Sequence, residues 1–368
     1  MAGKLLILQD SLQFGGHEIM FLNLLPGALP SEAFDEIVVR MPEGNAIFQQ
    51  RLRDLGSPRL RIAPWRYAKR PAEPYLAGFR RDYGAAVRET ILHERPQTVL
   101  LLQGRIENLA VPMLSMPKDQ FTVSYIPMAH SMRDMDRNSL GDSVRRRLYR
   151  RPDRFIVPSH AVAGQLTRVG ARAPATVIEN IVKPPVRSTS PDIRSAFGLP
   201  HDRRIALFLG RFDPQQKGLD LLIAAMQRSA AALDAWTFLF VGDGPGLAAI
   251  EALKGGALDI RIIPWTDRPH DFLLGSDVML MPSRYEGVPL VMLEAMLCGL
   301  PILASEIDVF REYLPAERCV NFGTVNLAAQ LDALFAAGRG AAVDQDAHRI
   351  ARARAQFAEA LVPGAKAV

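Results

Sequence analysis

The chain has 368 residues, of which 48% are hydrophobic, with a mean hydropathy of +0.04, two cysteines and a formal charge of +5. That length is too great for one ordinary core and suits two domains; the composition is that of a soluble globular protein, with no apolar stretch fit to span a bilayer. The pI of about 9.3 favours anionic ligands or an anionic membrane face, while the lack of a basic tract interleaved with aromatics, and of zinc or helix-turn-helix signatures, argues against nucleic acid. The opening MAGKLLILQD falls short of the ~7–15 apolar residues of a signal peptide, so a cytoplasmic protein is expected. Cys298 and Cys319 read as buried thiols in a reducing cytosol, not as a disulfide or metal pair.

Lys4–Leu8 reads as a first strand buried on both faces. A turn over Asp10–Gly16 follows, then a helix over Glu18–Leu25 with Met20, Phe21, Leu24 and Leu25 apolar. Strand, Gly15-Gly16 and helix form the layout of a phosphate-approach loop, because glycines let the backbone come close to a ligand. A tight turn without a ligand explains the same residues, since neither GxGxxG nor GKS/T follows. Glu36–Val39, Thr98–Leu102 and Phe121–Ile126 are further strand-like runs, and 41–95 holds no interpretable motif. Phe121–Ile126 leads into Pro127-Met128-Ala129-His130. Ligands gather at the carboxyl ends of parallel strands, which makes His130 a site candidate beside the plainer reading of a structural histidine.

Ser143–Arg151 (SVRRRLYRR) reads as a short cationic helix capped by Asp142 or Ser143 and ended by Pro152, with Val144 and Leu148 on one apolar face. It suits a surface helix, and equally a contact with an anionic membrane through Arg145–Arg151. Strand Arg154–Val157, helix Ala161–Gly170 and the run TVIEN at 176–180 come next. Prolines at 184, 185, 191 and 200 mark Lys183–Arg203 as a linker. The expected division is an N-terminal domain 1–183, a C-terminal domain 184–345 and a last helical segment 346–368.

Strand Arg204–Leu209 runs into Gly210-Arg211-Phe212-Asp213, and Lys217-Gly218-Leu219-Asp220 opens the helix Leu221–Arg228. Gly210 permits close backbone approach, and Arg211 and Lys217 supply fixed and mobile positive charge suited to a diphosphate. A surface ion-pair site is the alternative. Strand Trp236–Val241 ends in the tight turn GDGPG around Gly244, and strand Asp259–Pro264 and helix Asp271–Gly275 follow. Val278–Met281 reads as a buried strand, Ser283–Gly287 as a turn, and Pro289 as the first residue of a helix that Gly299 and Pro301 stop. Glu286 lies in the loop; Glu294, four residues beyond Leu290, faces back towards it. The free N–H groups of Leu290 and Val291, at the positive end of the helix dipole, suit a phosphate. The two carboxylates suit hydroxyls on either side. Together they describe a sugar nucleotide, although a buried βα unit with incidental glutamates describes the residues equally well. Pro301–Ser305 is the next strand, and Asn321–Ala337 and Asp344–Leu361 are helical.

Glu286-x7-Glu294, inside PSRYEGVPLVMLEAMLCGLPILAS, resembles the signature of the retaining glycosyltransferases of the GT-B fold, family 4 (glycosyl transferases group 1) type. FLGRFDPQQKGLDLLIAAM resembles their G-R…K-G hallmark, the 242–246 turn their G-x-G-P loop, and GGHE at 15–18 their GG-x-E loop. FIVPSHAV resembles their final N-domain βα unit. The likeness is close over the C-terminal half and thinner over the N-terminal half. It breaks at Glu179-Asn180-Ile181-Val182, where the family has P-N-G-V-D, so no sugar contact is carried over there.

The resemblance implies an α/β GT-B fold of two Rossmann-like doubly wound domains facing a central cleft. The N-terminal domain would bind the acceptor, the C-terminal one the nucleotide sugar, and the last helix would cross back to the N-terminal domain. Gly15, Gly16, Gly210, Gly244, Gly287, Val288, Leu290, Val291 and Glu294 would bind the donor; Arg211, Lys217, Glu286 and His130 would be catalytic. The implied enzyme is a retaining, metal-independent hexosyltransferase with no cofactor, whose donor is a UDP- or GDP-linked sugar. Asp134-Met135-Asp136, a D-x-D triplet, is read as a solvated loop and not as a metal site. A saccharide or lipid-linked acceptor, in bacterial polysaccharide or lipid-linked glycan assembly at the inner face of the membrane, completes the expectation. A GT-B-shaped sugar-nucleotide epimerase is a second reading. An NAD-type oxidoreductase is a third, without the GxGxxG and the later acidic residue that it needs.

Overall fold

A computed structural model describes all residues except 1–2, 68–69, 71, 74, 130–138, 183–191, 342–346 and 366–368. The chain divides into two compact units, Met1–Ile181 with Asp346–Val368, and Val182–Gln345.

Unit 1 contains β1 (Gly3–Leu8), β2 (Phe34–Pro42), β3 (Leu60–Trp65), β4 (Thr98–Leu102), β5 (Thr122–Tyr125), β6 (Arg154–Val157) and β7 (Ala175–Val177). All pairs are parallel, in the order β3-β2-β1-β4-β5-β6-β7. Leu5–Leu8 and Val99–Leu102 are buried on alternate side chains in both directions, as expected where helices cover both faces of a parallel sheet. The strand order reverses between β1 and β4, so the loops after these two strands flank the switch point of the sheet.

At the opposite end of the sheet, Lys4 bonds Glu36 at 2.8 Å and Glu94 at 2.7 Å, while Arg61 bonds the same two carboxylates at 2.6 and 2.7 Å. Burial opposes ionisation of Glu94, but the bonds from Arg61 and Lys4 outweigh it and hold its pKa down at about 2.

The helix Ala347–Ala360 belongs to unit 1. Phe357 is buried with its ring edge-on to Phe21 and Tyr125, at 6.1 and 6.3 Å between centroids. The last carbonyls of a helix have no partner within it, and here unit 1 supplies them. Buried Arg154 on β6 donates to the carbonyls of Ala360 at 2.8 Å and Ala365, and Thr98 on β4 to that of Leu361 at 2.8 Å. A cation at this end also suits the helix dipole.

Unit 2 contains β8 (Arg204–Leu209), β9 (Trp236–Val241), β10 (Asp259–Ile263), β11 (Val278–Met281), β12 (Ile302–Ser305) and β13 (Cys319–Val320). They run parallel in the order β10-β9-β8-β11-β12-β13, again a doubly wound sheet, reversing between β8 and β11. Phe208, Phe212 and Phe240 stack their rings 5.8–6.3 Å apart in its core.

Several local expectations shift. The cationic helix spans Leu140–Tyr149 and its cap is Ser139, which accepts from the Asp142 N–H at 3.4 Å. Asp142 already lies inside the helix, where its N–H is the one Ser139 caps and its buried carboxylate bonds Arg145. Pro289 caps the helix Leu290–Leu297 in an extended conformation instead of occupying its first turn. The helix expected from Asn321 starts only at Leu327: Asn321 folds into a turn that bonds Gly323, Thr324 and Val325, and Asn326 caps the helix through Ala329. Among the described residues, no helix is long and apolar enough to cross a membrane.

Truncating Phe357 to Ala empties a site shared by three rings. We expect Phe357→Ala to cost about 3–5 kcal/mol in the unfolding transition of unit 1, read from the urea midpoint.

Candidate functional site

Three loops meet where β8, β9 and β11 of unit 2 end, and glycines set their spacing. Gly242 has φ +145°, and a Cβ there would lie 2.0 Å from the carbonyl oxygen of Gly210. Gly218, at φ +63°, would place a Cβ 2.0 Å from the carbonyl oxygen of Pro282. Side chains at either place would force these loops apart. Phe212 bonds through its backbone to Asp243 and Gly246, at 2.8 and 2.7 Å, and sinks its ring into the core. Its neighbour Arg211 is therefore turned outward, 58% exposed and bonded to Asp213 at 2.5 Å. Gly210 and Gly244, at φ +141° and +147°, complete the two loops.

The loop after β11 is tied to the loop after β8. Arg284 donates its N–H to the Gln216 carbonyl at 2.9 Å and its guanidinium to both oxygens of Asp220, at 2.7 and 2.6 Å. This bidentate bond holds the Asp220 carboxyl below its ordinary pKa. Beside it, the Lys217 ammonium bonds Glu286 Oε1 at 2.6 Å, and the Ser283 hydroxyl donates to the same oxygen at 2.8 Å. Glu286 is 5% exposed and Lys217 22%. An ammonium carries three donors, so Lys217 keeps two for another acceptor. Glu286 Oε2 has no hydrogen-bond partner among the described residues.

Gly287 and Val288 lead from Glu286 into the helix Leu290–Leu297. Met292 and Leu293 donate back to the Pro289 carbonyl at 3.1 and 3.4 Å, whereas the N–H groups of Leu290 and Val291 have no acceptor among the described residues. The carboxylate of half-buried Glu294 makes no hydrogen bond or ion pair among them either, and burial raises its pKa. The far end of this helix is fastened by Arg339, which donates to the carbonyls of Cys298, Leu273, Leu274 and Ser276 at 2.7–3.0 Å.

In unit 1, Gly15 caps the helix Gly16–Leu24 at the end of β1. Glu18, fully buried, accepts from the Gly15 N–H and from the Gln9 amide, both at 2.9 Å, and its Oε1 lies 2.9 Å from His17 Nε2. The fold itself does not demand glycine here. Neither Gly15 nor Gly16 has positive φ, and a Cβ on Gly16 would meet no protein atom within 4 Å. His130, Asp134 and Asp136 lie outside the described residues. Among the described residues, no group of three or more His, Cys, Asp or Glu is placed to hold a metal ion.

Sequence reasoning brought Lys217 and Glu286 to one ligand but did not foresee that they bond each other. It also passed over Glu18, Asp220, Ser283, Arg284 and Arg339. Glu18, Asp220, Ser283 and Arg284 stand inside the quoted motifs, so their types were visible; their partners were not. Arg339 had no local signal.

Residues 203–336 match the family model Glycosyl transferases group 1. Sulfoquinovosyl transferase SQD2 of Arabidopsis thaliana is 31% identical over 185 residues, 48% of this chain and 35% of that protein. The O-antigen biosynthesis glycosyltransferase WclY of Escherichia coli is 30% identical over 144 residues, 38% of this chain and 39% of that protein. The chain thus spans little more than a third of the length of these relatives. Anabaena HepE, solved in complex with UDP-glucose, has a TM-score of 0.69 over 97% of this chain and 93% of that one, at 18% identity. The architecture is the GT-B fold, two Rossmann-like α/β domains with parallel sheets. Within it, the C-terminal domain is of the glycosyl transferases group 1 type.

The unpartnered Glu294 has a consequence for stability. Its pKa is raised by folding above an ordinary value of 4.5, so the folded state binds its proton more tightly than the unfolded one. Stability from this group is complete below that value and is lost as pH rises through the folded pKa. We expect Glu294→Gln to melt at a higher temperature than wild type at pH 7, with the difference vanishing below about pH 4.5, as followed by calorimetry.

Proposed function

We propose that the protein is a retaining glycosyltransferase of the family 4 type, moving a sugar from a nucleoside-diphosphate sugar to an acceptor hydroxyl. The observation that carries the reading is the switch point of unit 2. There, among the described residues, Lys217 retains spare donors, two helix amides lack acceptors, and Glu286 and Glu294 keep carboxylate oxygens unbonded. Cationic donors between hydroxyl acceptors match a diphosphate flanked by a ribose and a hexose. The solved complex of Anabaena HepE with UDP-glucose supports a donor of that class on this fold.

In this reading Arg211, Lys217 and the amides of Leu290 and Val291 neutralise the diphosphate as it departs with growing negative charge. Glu294 takes the ribose hydroxyls and Glu286 Oε2 those of the transferred sugar. The diphosphate itself helps deprotonate the acceptor, which attacks from the side the leaving group vacates, so the anomeric configuration is kept. Positive charge comes from side chains and helix amides, and the reading calls for no metal.

The name of WclY, an O-antigen biosynthesis glycosyltransferase, favours an acceptor in bacterial polysaccharide or lipid-linked glycan assembly, as the sequence resemblance implies. A contact with the inner face of an anionic membrane would fall to Arg147 and Arg150, which are exposed. Arg145 is bonded to Glu107 and Asp142, and Arg151 to the carbonyls of Met113 and Leu114. Liposome flotation should therefore drop for Arg147→Glu with Arg150→Glu; flotation equal to wild type would remove the membrane from the reading.

Thermal unfolding against UDP, GDP, dTDP, ADP and NAD tests the donor site. A ligand at a hundred times its dissociation constant adds roughly 2.7 kcal/mol. One nucleoside diphosphate should raise the midpoint of wild type and much less that of Glu294→Ala, whereas a response to NAD alone would overturn the reading. With the donor found, Lys217→Ala should lower kcat by about 100- to 1,000-fold, the loss typical of one preorganised donor. It should also destabilise unit 2 by ~3 kcal/mol or less, because Glu286 loses the partner of a mostly buried pair.

A further inference from the structure

Unit 1 holds a cavity of about 280 Å3 that the site described above does not use. It lies where β6 and β7 end, beside the helix Ala347–Ala360, and its lining includes His160, Glu179, Arg349, Arg352 and Gln356. Arg349, Arg352 and Gln356 recur three and four positions apart, which puts them on one stripe of that helix. Among the described residues Glu179 is the only carboxylate of the lining, and it is bonded to Arg349 at 2.7 Å. The Arg352 side chain has no hydrogen bond or ion pair among the described residues. The cavity therefore presents a guanidinium in excess of its acidic groups, with an amide and an imidazole beside it.

We infer that this cavity binds a small phosphate group, free or as a monoester. A planar guanidinium with no carboxylate of its own is matched to phosphate oxygens, and Gln356 adds a neutral amide to the same lining. The volume lies at the lower limit of ligand pockets, enough for phosphate or a hexose phosphate and too small for a nucleotide sugar. Its place in the chain gives such a ligand a consequence. Glu179 stands two residues before Ile181, where the chain leaves unit 1, and Arg349 three after Asp346, where it returns. A phosphate held by Arg349 and Arg352 would fix the returning segment beside the departing one. The inference does not depend on the donor site of unit 2.

Isothermal titration of the full chain with glucose 6-phosphate, and separately with inorganic phosphate, at constant ionic strength in chloride, tests it. Wild type should bind at one site. Arg352→Ala removes an exposed, unpartnered side chain and should fold normally, yet bind at least about ten-fold more weakly. Glu179→Gln, which removes the competing carboxylate, should bind more tightly, and Arg211→Ala should bind as wild type. Tighter binding of glucose 6-phosphate than of phosphate would identify a sugar phosphate as the ligand; equal binding would identify phosphate itself. No binding by wild type, undiminished binding by Arg352→Ala, or binding abolished by Arg211→Ala would each overturn the inference.

Discussion

The candidate site depends on how closely three loops of unit 2 approach one another at the ends of their strands. Gly242 lies against the Gly210 carbonyl and Gly218 against that of Pro282, each too close for any side chain. Everything chemical about the site follows from that spacing. It lets Phe212 reach the core, which in turn faces Arg211 to solvent, and it brings Lys217 and Glu286 within bonding distance although they are 69 residues apart in sequence. The Arg284–Asp220 fork then locks the two loops together, so the ammonium and the carboxylate are held by backbone and not by each other alone.

The buried carboxylates sort by whether the fold satisfies them. Glu18 has donors on both oxygens, and Glu94 has two cations. These are structural: removing a donor would leave a buried charge uncompensated. Glu294 has none of these and bears the cost of burial in its raised pKa. Glu286 is intermediate, one oxygen bonded twice and the other unbonded. A fold that leaves a half-buried carboxylate without a donor is less stable than it need be, and a ligand hydroxyl is what would offset that.

The basic composition says less about binding than it first suggests. Arginines close the ends of elements across both units: Arg154 takes carbonyls beyond the last helix, Arg228 that of Phe322, and Arg339 four carbonyls around two helix ends. Arg151, just beyond the cationic helix, takes the carbonyls of Met113 and Leu114 in the same way, while Arg145 within it bonds the carboxylates of Glu107 and Asp142. A formal charge of +5 thus measures in part how this chain satisfies its backbone. A count of charges therefore does not show which arginines are left for ligands.

The sequence by itself determined the strands of both sheets wherever they are buried on two faces, because such strands are unbroken apolar runs: KLLIL, TVLLL and VMLM could hardly be anything else. It also determined the positions at strand ends where glycine, cation and carboxylate recur, and with them the kind of ligand to expect. It was silent on β3, whose residues LRIAPW alternate poorly because the strand lies at the edge of the sheet and is only partly buried. It misjudged the helix after Asn321, where a side-chain turn competes with helical bonds over a stretch of suitable composition. Only the tertiary structure decided that Lys217 bonds Glu286, that Glu294 is left without a donor, and that Arg349 meets Glu179. Each of those facts depends on distances between residues tens to hundreds of positions apart. Local propensity acts over one turn or one strand, while pairing across a sheet is set by packing of the whole unit.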